Sequence, residues 1–149
     1  MEVAALKLAG ERNDVPHPSV QMPNKWSENH ERLVVFDDGR GVKIVHDEVS
    51  NAEGASAVGA DHPVPRNSDV YYYEVTIIDK GKNGHISIGF CTTEVDLSRL
   101  PGWDRGSWGY HGDDGHAFAG ERDGTPFGPS FTTGDTIGCL IDFKIGKAF

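Results

Sequence analysis

The chain has 149 residues, which is enough for one domain with its own hydrophobic core. Its formal net charge is −9 and its basic residues are scattered, which argues against a nucleic-acid-binding protein. No apolar run approaches the roughly 20 residues of a membrane-spanning helix, and no secretory signal peptide is recognisable. We therefore expect a cytoplasmic protein, with the nucleus as an alternative and secretion left open.

The first part of the chain predicts a flexible N-terminal segment, here called the lead-in, followed by a hairpin. Residues 1–25 contain three prolines and no clear periodicity, so we expect a flexible segment there and a folded domain over 26–149. The β-rich run Arg32 to Phe36 and the alternating run Val42 to His46 flank an Asp-Asp-Gly turn signal. These runs predict a β-hairpin.

The middle of the chain alternates long loops with strong strands. A polar stretch from Asp47 to Asp69 is long for a loop, and we expect a short strand inside it near Ala57. Val70 to Ile78 is the clearest strand, with Tyr71, Tyr73 and Val75 on one face. His85 to Cys91 is predicted to be the return strand.

The last third predicts three further strands. Ser107 to Gly120 forms two short aromatic runs around a Gly-Asp-Asp-Gly turn, and Thr136 to Phe143 alternates like a buried strand. The chain has 19 glycines, which suit tight turns and do not suit a helical domain. Together these elements predict an all-β, two-layer antiparallel β-sandwich.

The two cysteines are expected to be buried thiols. Cys91 and Cys139 both lie inside apolar, strand-like runs. Two cysteines alone do not make a disulfide framework, so no disulfide is predicted.

Two groups of polar residues have an alternative chemical interpretation. His111, Asp113, Asp114 and His116 could present ligands to a metal ion, but a glycine-flanked turn whose aspartates bond backbone amides is the favoured interpretation. Ser107 with a nearby histidine lacks the context of a hydrolase nucleophile. We therefore expect no catalytic residue, no metal site and no cofactor.

Four motifs in order carry a family resemblance. They are YYYEVTI, ISIGF, LPGW followed by SWGYHGDDGH, and PFGP followed by TGD and IGC. This series, over roughly residues 26 to 149, resembles the SPRY domain, and within it the branch of RanBPM, the Ran-binding protein in the microtubule-organising centre. The resemblance implies a bent two-layer β-sandwich whose loops bind peptides or protein surfaces and which has no catalytic residue.

The resemblance also implies partners. RanBPM-like proteins are scaffolds of a multisubunit ubiquitin ligase, so ligase subunits are expected partners, whereas nucleic acid and membranes are not. The family continues past the hairpin that begins near Phe149. We therefore expect the last strands of the sandwich to be lacking, with lower stability or self-association as a result. A secreted SPRY effector acting on host proteins and a metal-dependent enzyme stay as alternative functions.

The binding site is predicted by resemblance to SPRY proteins that carry a SOCS box. There, peptide is held by the loop after the second strand, by a threonine after the ISIGF-like strand and by the loop before the SWG motif. The matching residues here, with their acidic neighbours, are His46, Asp47, Glu48, Ser50, Thr92, Leu100, Pro101, Trp103 and Asp104. The first loop departs from the pattern of those proteins, so their ligand is not carried over.

Trp103 leaves two interpretations open. It either folds back as a plug or helps to line the binding surface. We expect alanine at Leu100 and Trp103 to weaken partner capture without unfolding the domain, and the acids nearby to favour basic ligand residues.

Overall fold

The computed structural model describes residues 4–8, 21–27, 32–45, 55–82 and 84–149, with the backbone alone for 4–8. Within these ranges, no helix is long and apolar enough to cross a membrane. The strands are β1 Ala4–Leu8, β2 Leu33–Phe36, β3 Gly41–Ile44, β4 Val70–Thr76, β5 Ser87–Thr92, β6 Ser107–His111, β7 His116–Phe118, β8 Thr125–Pro126, β9 Thr136–Asp142 and β10 Lys147–Ala148.

Two sheets form the body of the molecule. One has the strand order β10-β9-β4, the other has the order β1-β5-β6-β7-β8, and the hairpin β2-β3 forms a small third sheet. The core cluster includes Ile88 and Phe90 from β5 and Cys139 from β9, with Tyr73 of β4 packed against it. The predicted all-β sandwich is confirmed, and its pairings are antiparallel apart from β1, which runs parallel to β5.

Strand β4 follows its sequence pattern closely. Its residues alternate between exposed and half-buried from Val70 to Thr76, with Tyr71, Tyr73 and Val75 turned inward. β4 pairs with β9 along its whole length, from Val70 opposite Asp142 to Thr76 opposite Thr136. Period-two alternation therefore identifies both the strand and its buried face.

A third layer covers the outer face of the five-stranded sheet. We call residues 97–104 the cover segment; Leu97, Leu100 and Trp103 from it pack with Ala55 and Ala57 in a second hydrophobic cluster. The sheet face beneath the cover segment carries small residues. A Cβ atom at Gly109 would lie 2.2 Å from the carbonyl oxygen of Pro101, so glycine is required for this close approach.

The predicted hairpin forms, with β2 paired antiparallel to β3 from Leu33 opposite Ile44 to Phe36 opposite Gly41. Its acidic turn takes positive φ values at Asp37 (53°) and Asp38 (52°). Aspartate tolerates this left-handed backbone better than most residues, which explains why the Asp-Asp-Gly signal works as a turn.

Two local expectations differ from the structure. Inside the predicted flexible lead-in, the backbone of Ala4–Leu8 is a strand, because it pairs with β5. Over residues 55–69 the expected strand near Ala57 is reduced to isolated bridge residues, Val58 and Ala60, of which Ala60 pairs with Trp26. The domain boundaries themselves stay a prediction.

Both cysteines are buried thiols, as expected, and they form no disulfide. Burial raises the pKa of Cys139 to about 11.

Candidate functional site

The cover segment is fixed to the sheet by a set of hydrogen bonds around Pro101. The Pro101 carbonyl oxygen accepts bonds from Ser87 Oγ at 3.0 Å and from His111 Nε2 at 2.9 Å. The backbone N–H of Gly102 donates to Ser107 Oγ at 2.7 Å. Three polar side chains of the buried sheet face thus hold one turn of the loop, which leaves little motion to be lost when a ligand binds.

Leu100 and Pro101 lie beneath the surface. Leu100 is 4% exposed, and Pro101 is among the residues that are fully buried. A ligand on the protein surface therefore cannot contact them broadly. The expectation that alanine at Leu100 spares the fold conflicts with this burial, because removing a buried leucine side chain leaves a cavity.

Trp103 and Asp104 are partly accessible at the end of the cover segment. The Trp103 ring packs against the second hydrophobic cluster and lies 6.0 Å from the His111 ring, so Trp103 folds back onto its own domain. Asp104 Oδ1 pairs with Arg99 Nη1 at 2.8 Å. Their role in binding stays a prediction.

His111 has a structural environment. Its ring stacks on Phe118 with centroids 4.0 Å apart, and burial lowers the pKa of His111. Both His111 and Ser107 use their polar atoms to hold the cover segment. The structure therefore does not join these two side chains in a nucleophile–base arrangement.

The Gly-Asp-Asp-Gly turn bonds its own backbone. Asp114 Oδ1 accepts the backbone N–H of His116 at 2.9 Å, as in the favoured interpretation of this motif. Among the described residues, no group of three or more His, Cys, Asp or Glu side chains is placed to hold a metal ion.

Thr92 belongs to a different part of the surface from Pro101. Pro101 lies over Ser87, at the other end of β5, and five residues of strand span roughly 17 Å. Thr92 is exposed, and its backbone N–H donates to the Gly106 carbonyl at 2.8 Å, which closes the loop that carries the cover segment. The structure therefore does not bring Thr92 and Pro101 into one pocket.

Thr92 lines a groove of about 680 Å³ between the two sheets. We call this space the inter-sheet groove. Trp108 from β6 stands at its wall and is 40% exposed, while Phe143 lines it beside β9. The other residues that line it are Arg66, Thr93, Glu94, Ile141, Asp142, Gly146, Lys147 and Ala148.

Trp108 and Phe143 lie in strand-like runs of the sequence, where an aromatic residue is most often a core residue. Trp108 does share the inward face of β6 with Tyr110, because the two residues pair with Phe90 and Ile88 of β5. It is exposed because it lies where the sheets separate, and no signal within the strand itself marks that point. Only the position of Trp108 near the beginning of β6, away from the centre of the pairing, hints at its exposure.

Four predicted binding residues, His46, Asp47, Glu48 and Ser50, lie outside the described residues. Of the remaining five, Thr92 borders the inter-sheet groove and Leu100 to Asp104 form the cover segment's turn.

Comparisons with known proteins agree with this architecture. The family model of the SPRY domain matches residues 70–149. Ran-binding protein 9 of Xenopus tropicalis is 43% identical over 136 residues, covering 85% of this chain and 23% of the relative. The Ran-binding protein M homolog of Arabidopsis thaliana is 39% identical over 117 residues, covering 78% of this chain and 25% of that relative.

Human Ran-binding protein 9 is 51% identical over 95 residues, which is 64% of this chain and 13% of the human protein. The chain thus corresponds to a quarter or less of these curated relatives. Among solved structures, a human SPRY domain matches with a TM-score of 0.57 at 27% identity, covering 76% of this chain and 66% of the other.

Proposed function

This chain belongs to the SPRY domain family, a family of protein-interaction modules, and we propose that it binds an extended peptide or small protein epitope without catalysing a reaction. The binding surface would be the inter-sheet groove with the adjoining loops. Such a site needs a stable scaffold and a few anchoring contacts, and the sandwich supplies both.

The observation that carries this proposal is the exposed Trp108 side chain in a groove next to Thr92. A tryptophan that is 40% exposed in a concave site offers a large apolar surface to a ligand. The groove is also large enough, at about 680 Å³, for several side chains of a bound peptide. Its charged residues are of both signs, so they favour an extended ligand with mixed charges.

The residues predicted from the sequence take different parts in this proposal. Thr92 would contact the ligand directly, and Trp103 and Asp104 would contact it at the neighbouring loop. Leu100 and Pro101 would act from below, by holding that loop in place. For His46, Asp47, Glu48 and Ser50, which lie outside the described residues, a role in binding is proposed from the family resemblance alone.

The cellular setting is proposed from the relatives. Similarity to Ran-binding proteins 9 and 10 supports a place as scaffold or substrate-recognition part of a ubiquitin-ligase-type complex in the cytoplasm or nucleus. Secretion as an effector that targets host proteins is the alternative.

Quantitative affinity capture tests the proposed surface. The purified chain, Trp108→Ala and Thr92→Arg would each be used as bait, with bound proteins quantified by mass spectrometry. Tyr72→Ala is the matched control, because Tyr72 is an aromatic residue that is 52% exposed on a strand outside the groove. We expect the same partners to be lost with both groove variants and kept with the control.

The result decides between the settings as well. Ubiquitin-ligase subunits among the partners lost with Trp108→Ala would support the scaffold role, whereas host proteins alone would support the effector. Equal capture by all four proteins would overturn the groove as the binding surface. Circular dichroism of each variant confirms that it is folded.

A further inference from the structure

A second cleft lies where residues 23–26 meet the β2–β3 turn and strand β4. Its volume is about 330 Å³, and it shares no lining residue with the inter-sheet groove. Three aromatic rings line it: Trp26 lies 6.4 Å from Tyr73, and Tyr71 lies 6.3 Å from Tyr73, between ring centroids. We call this site the aromatic cleft.

The aromatic cleft is held open by hydrogen bonds that tie its walls together. Trp26 donates its backbone N–H to the Gly39 carbonyl at 2.7 Å and its indole N–H to the Arg40 carbonyl at 3.1 Å. On the other side, the Asp61 backbone N–H donates to the Lys25 carbonyl at 2.9 Å. The cleft is therefore preformed, which lowers the entropic cost of filling it.

Two basic side chains line the cleft, and no carboxylate among the described residues forms an ion pair with either of them. Lys25 and Arg40 are both exposed, and the ion pairs among the described residues involve other bases. Gly39 brings Lys25 to this place: its φ is +89°, and a Cβ atom there would lie 2.6 Å from Lys25 Cβ. In a chain of net charge −9, two exposed cations beside aromatic rings form a locally basic feature.

Two acids at the cleft accept hydrogen bonds from the protein, and one of them, Glu74, is itself a lining residue. Glu74 Oε1 accepts the Tyr72 hydroxyl at 2.7 Å, and Asp61 accepts the Asn24 backbone N–H at 3.2 Å and contacts His62 at 2.9 Å. These carboxylates, with Asp37 and Asp38 in the neighbouring turn, would repel a doubly charged phosphate more than a single carboxylate.

We propose that the aromatic cleft is a second peptide-binding site, which accepts an extended segment carrying a glutamate or aspartate beside an apolar residue. The carboxylate of the ligand binds Arg40 and Lys25, and the apolar side chain packs on Trp26 and Tyr71. The volume of the aromatic cleft is near the lower end of the range for ligand pockets, so the cleft accommodates only a short segment of the ligand.

Nuclear magnetic resonance of the whole chain tests the proposal, because the Trp26 indole N–H bonds the backbone of Arg40 at the wall of the cleft. The probe is the capped peptide acetyl-Leu-Glu-Leu-amide. Three matched peptides accompany it: one with glutamine, one with lysine, and one with glutamine and an uncapped C-terminal carboxylate. We expect only the glutamate peptide to shift the Trp26 indole signal in a saturable way, with weaker binding at higher salt.

Charge-removing variants complete the test. Arg40→Gln and Lys25→Gln should each weaken binding of the glutamate peptide by about 1.5-fold to fivefold, the usual range for an exposed charge pair. Lys82→Gln, an exposed lysine outside the cleft, should leave the affinity unchanged. The dispersion of the backbone signals shows whether each variant is folded.

Three results would overturn the proposal. They are equal binding of the glutamate and glutamine peptides, stronger binding of the lysine or uncapped peptide, and an affinity that is the same in Lys25→Gln, Arg40→Gln and Lys82→Gln. Because the readout and the variants lie outside the inter-sheet groove, failure here leaves the proposed function standing, and the reverse also holds.

Discussion

The Tyr73 hydroxyl group connects the two sheets. It donates to the Gly89 carbonyl oxygen at 2.6 Å, so that β4 of one sheet is bonded to β5 of the other. Burial raises the pKa of Tyr73 well above its usual value, which keeps the hydroxyl protonated as a donor at every physiological pH.

Replacing Tyr73 with phenylalanine should lower the free energy of unfolding by about 1–2 kcal/mol, because a buried carbonyl loses a bond. Tyr72→Phe is the matched control on the same strand. Its hydroxyl bonds Glu74 at the surface, and its loss should change stability by less than about 0.5 kcal/mol. Urea denaturation measures both, and equal effects of the two variants would contradict the bridging role of Tyr73.

His111 makes stability depend on pH. Its pKa is lowered in the folded state, chiefly by burial, so the unfolded chain binds a proton more readily. The folded state is thus favoured above the unfolded histidine pKa of about 6.5 and loses that advantage as the pH falls towards the folded value.

We therefore expect the free energy of unfolding to fall between pH 7.5 and pH 5.5, and His111→Gln to reduce this slope. Glutamine can still donate to the Pro101 carbonyl, so the variant should fold. Chemical denaturation at several pH values measures the slope. His85→Gln serves as control, and a slope that is unchanged in His111→Gln but lost in His85→Gln would contradict this assignment.

At the scale of elements, the cover segment contributes stability as a packed layer. Leu100→Ala should lower the free energy of unfolding by about 2–5 kcal/mol, since it removes a buried side chain that touches the second hydrophobic cluster. Leu97→Ala, which is only partly buried in the same cluster, should cost less. Thermal denaturation compares the two, and a Leu100→Ala variant as stable as the parent would contradict the packing of this layer.

Strands were easier to predict from the sequence than the surface that they support. β4 and β9 are recognisable by alternation, because the inward face of each strand is less exposed than its outward face. The small residues of β5, Ser87, Gly89 and Cys91, indicate by their size that another layer packs closely on them. The layer that packs on them is the loop containing Pro101. This packing depends on contacts between residues far apart in the sequence, which no local pattern predicts.

The candidate site was only partly predicted, because it too depends on contacts between residues far apart in the sequence. Thr92 was found through its place after the ISIGF motif, and it does line the inter-sheet groove. Trp108 was missed, because a strand pattern distinguishes the two faces of a sheet but does not locate the point where two sheets part. Leu100 was predicted to be a binding residue because it lies in a loop, although it packs like a core residue.

At the scale of the whole molecule, the buried thiols report on global opening. Cys91 and Cys139 are both buried, and the Cys139 pKa of about 11 leaves about one thiolate in a thousand at pH 8. A thiol reagent should therefore label the native protein slowly and modify both cysteines once urea unfolds it. Rapid labelling of both cysteines in the native protein would show that the sandwich is loosely packed.

The two walls of the inter-sheet groove come from strands distant in the sequence. Trp108 belongs to β6, whereas Ile141 and Lys147 belong to β9 and β10. A peptide bound in the groove would contact both sheets and stabilise them together. Amide hydrogen exchange would then slow in the strands of both sheets at once. Partner availability would then set how long this protein survives proteolysis in a cell.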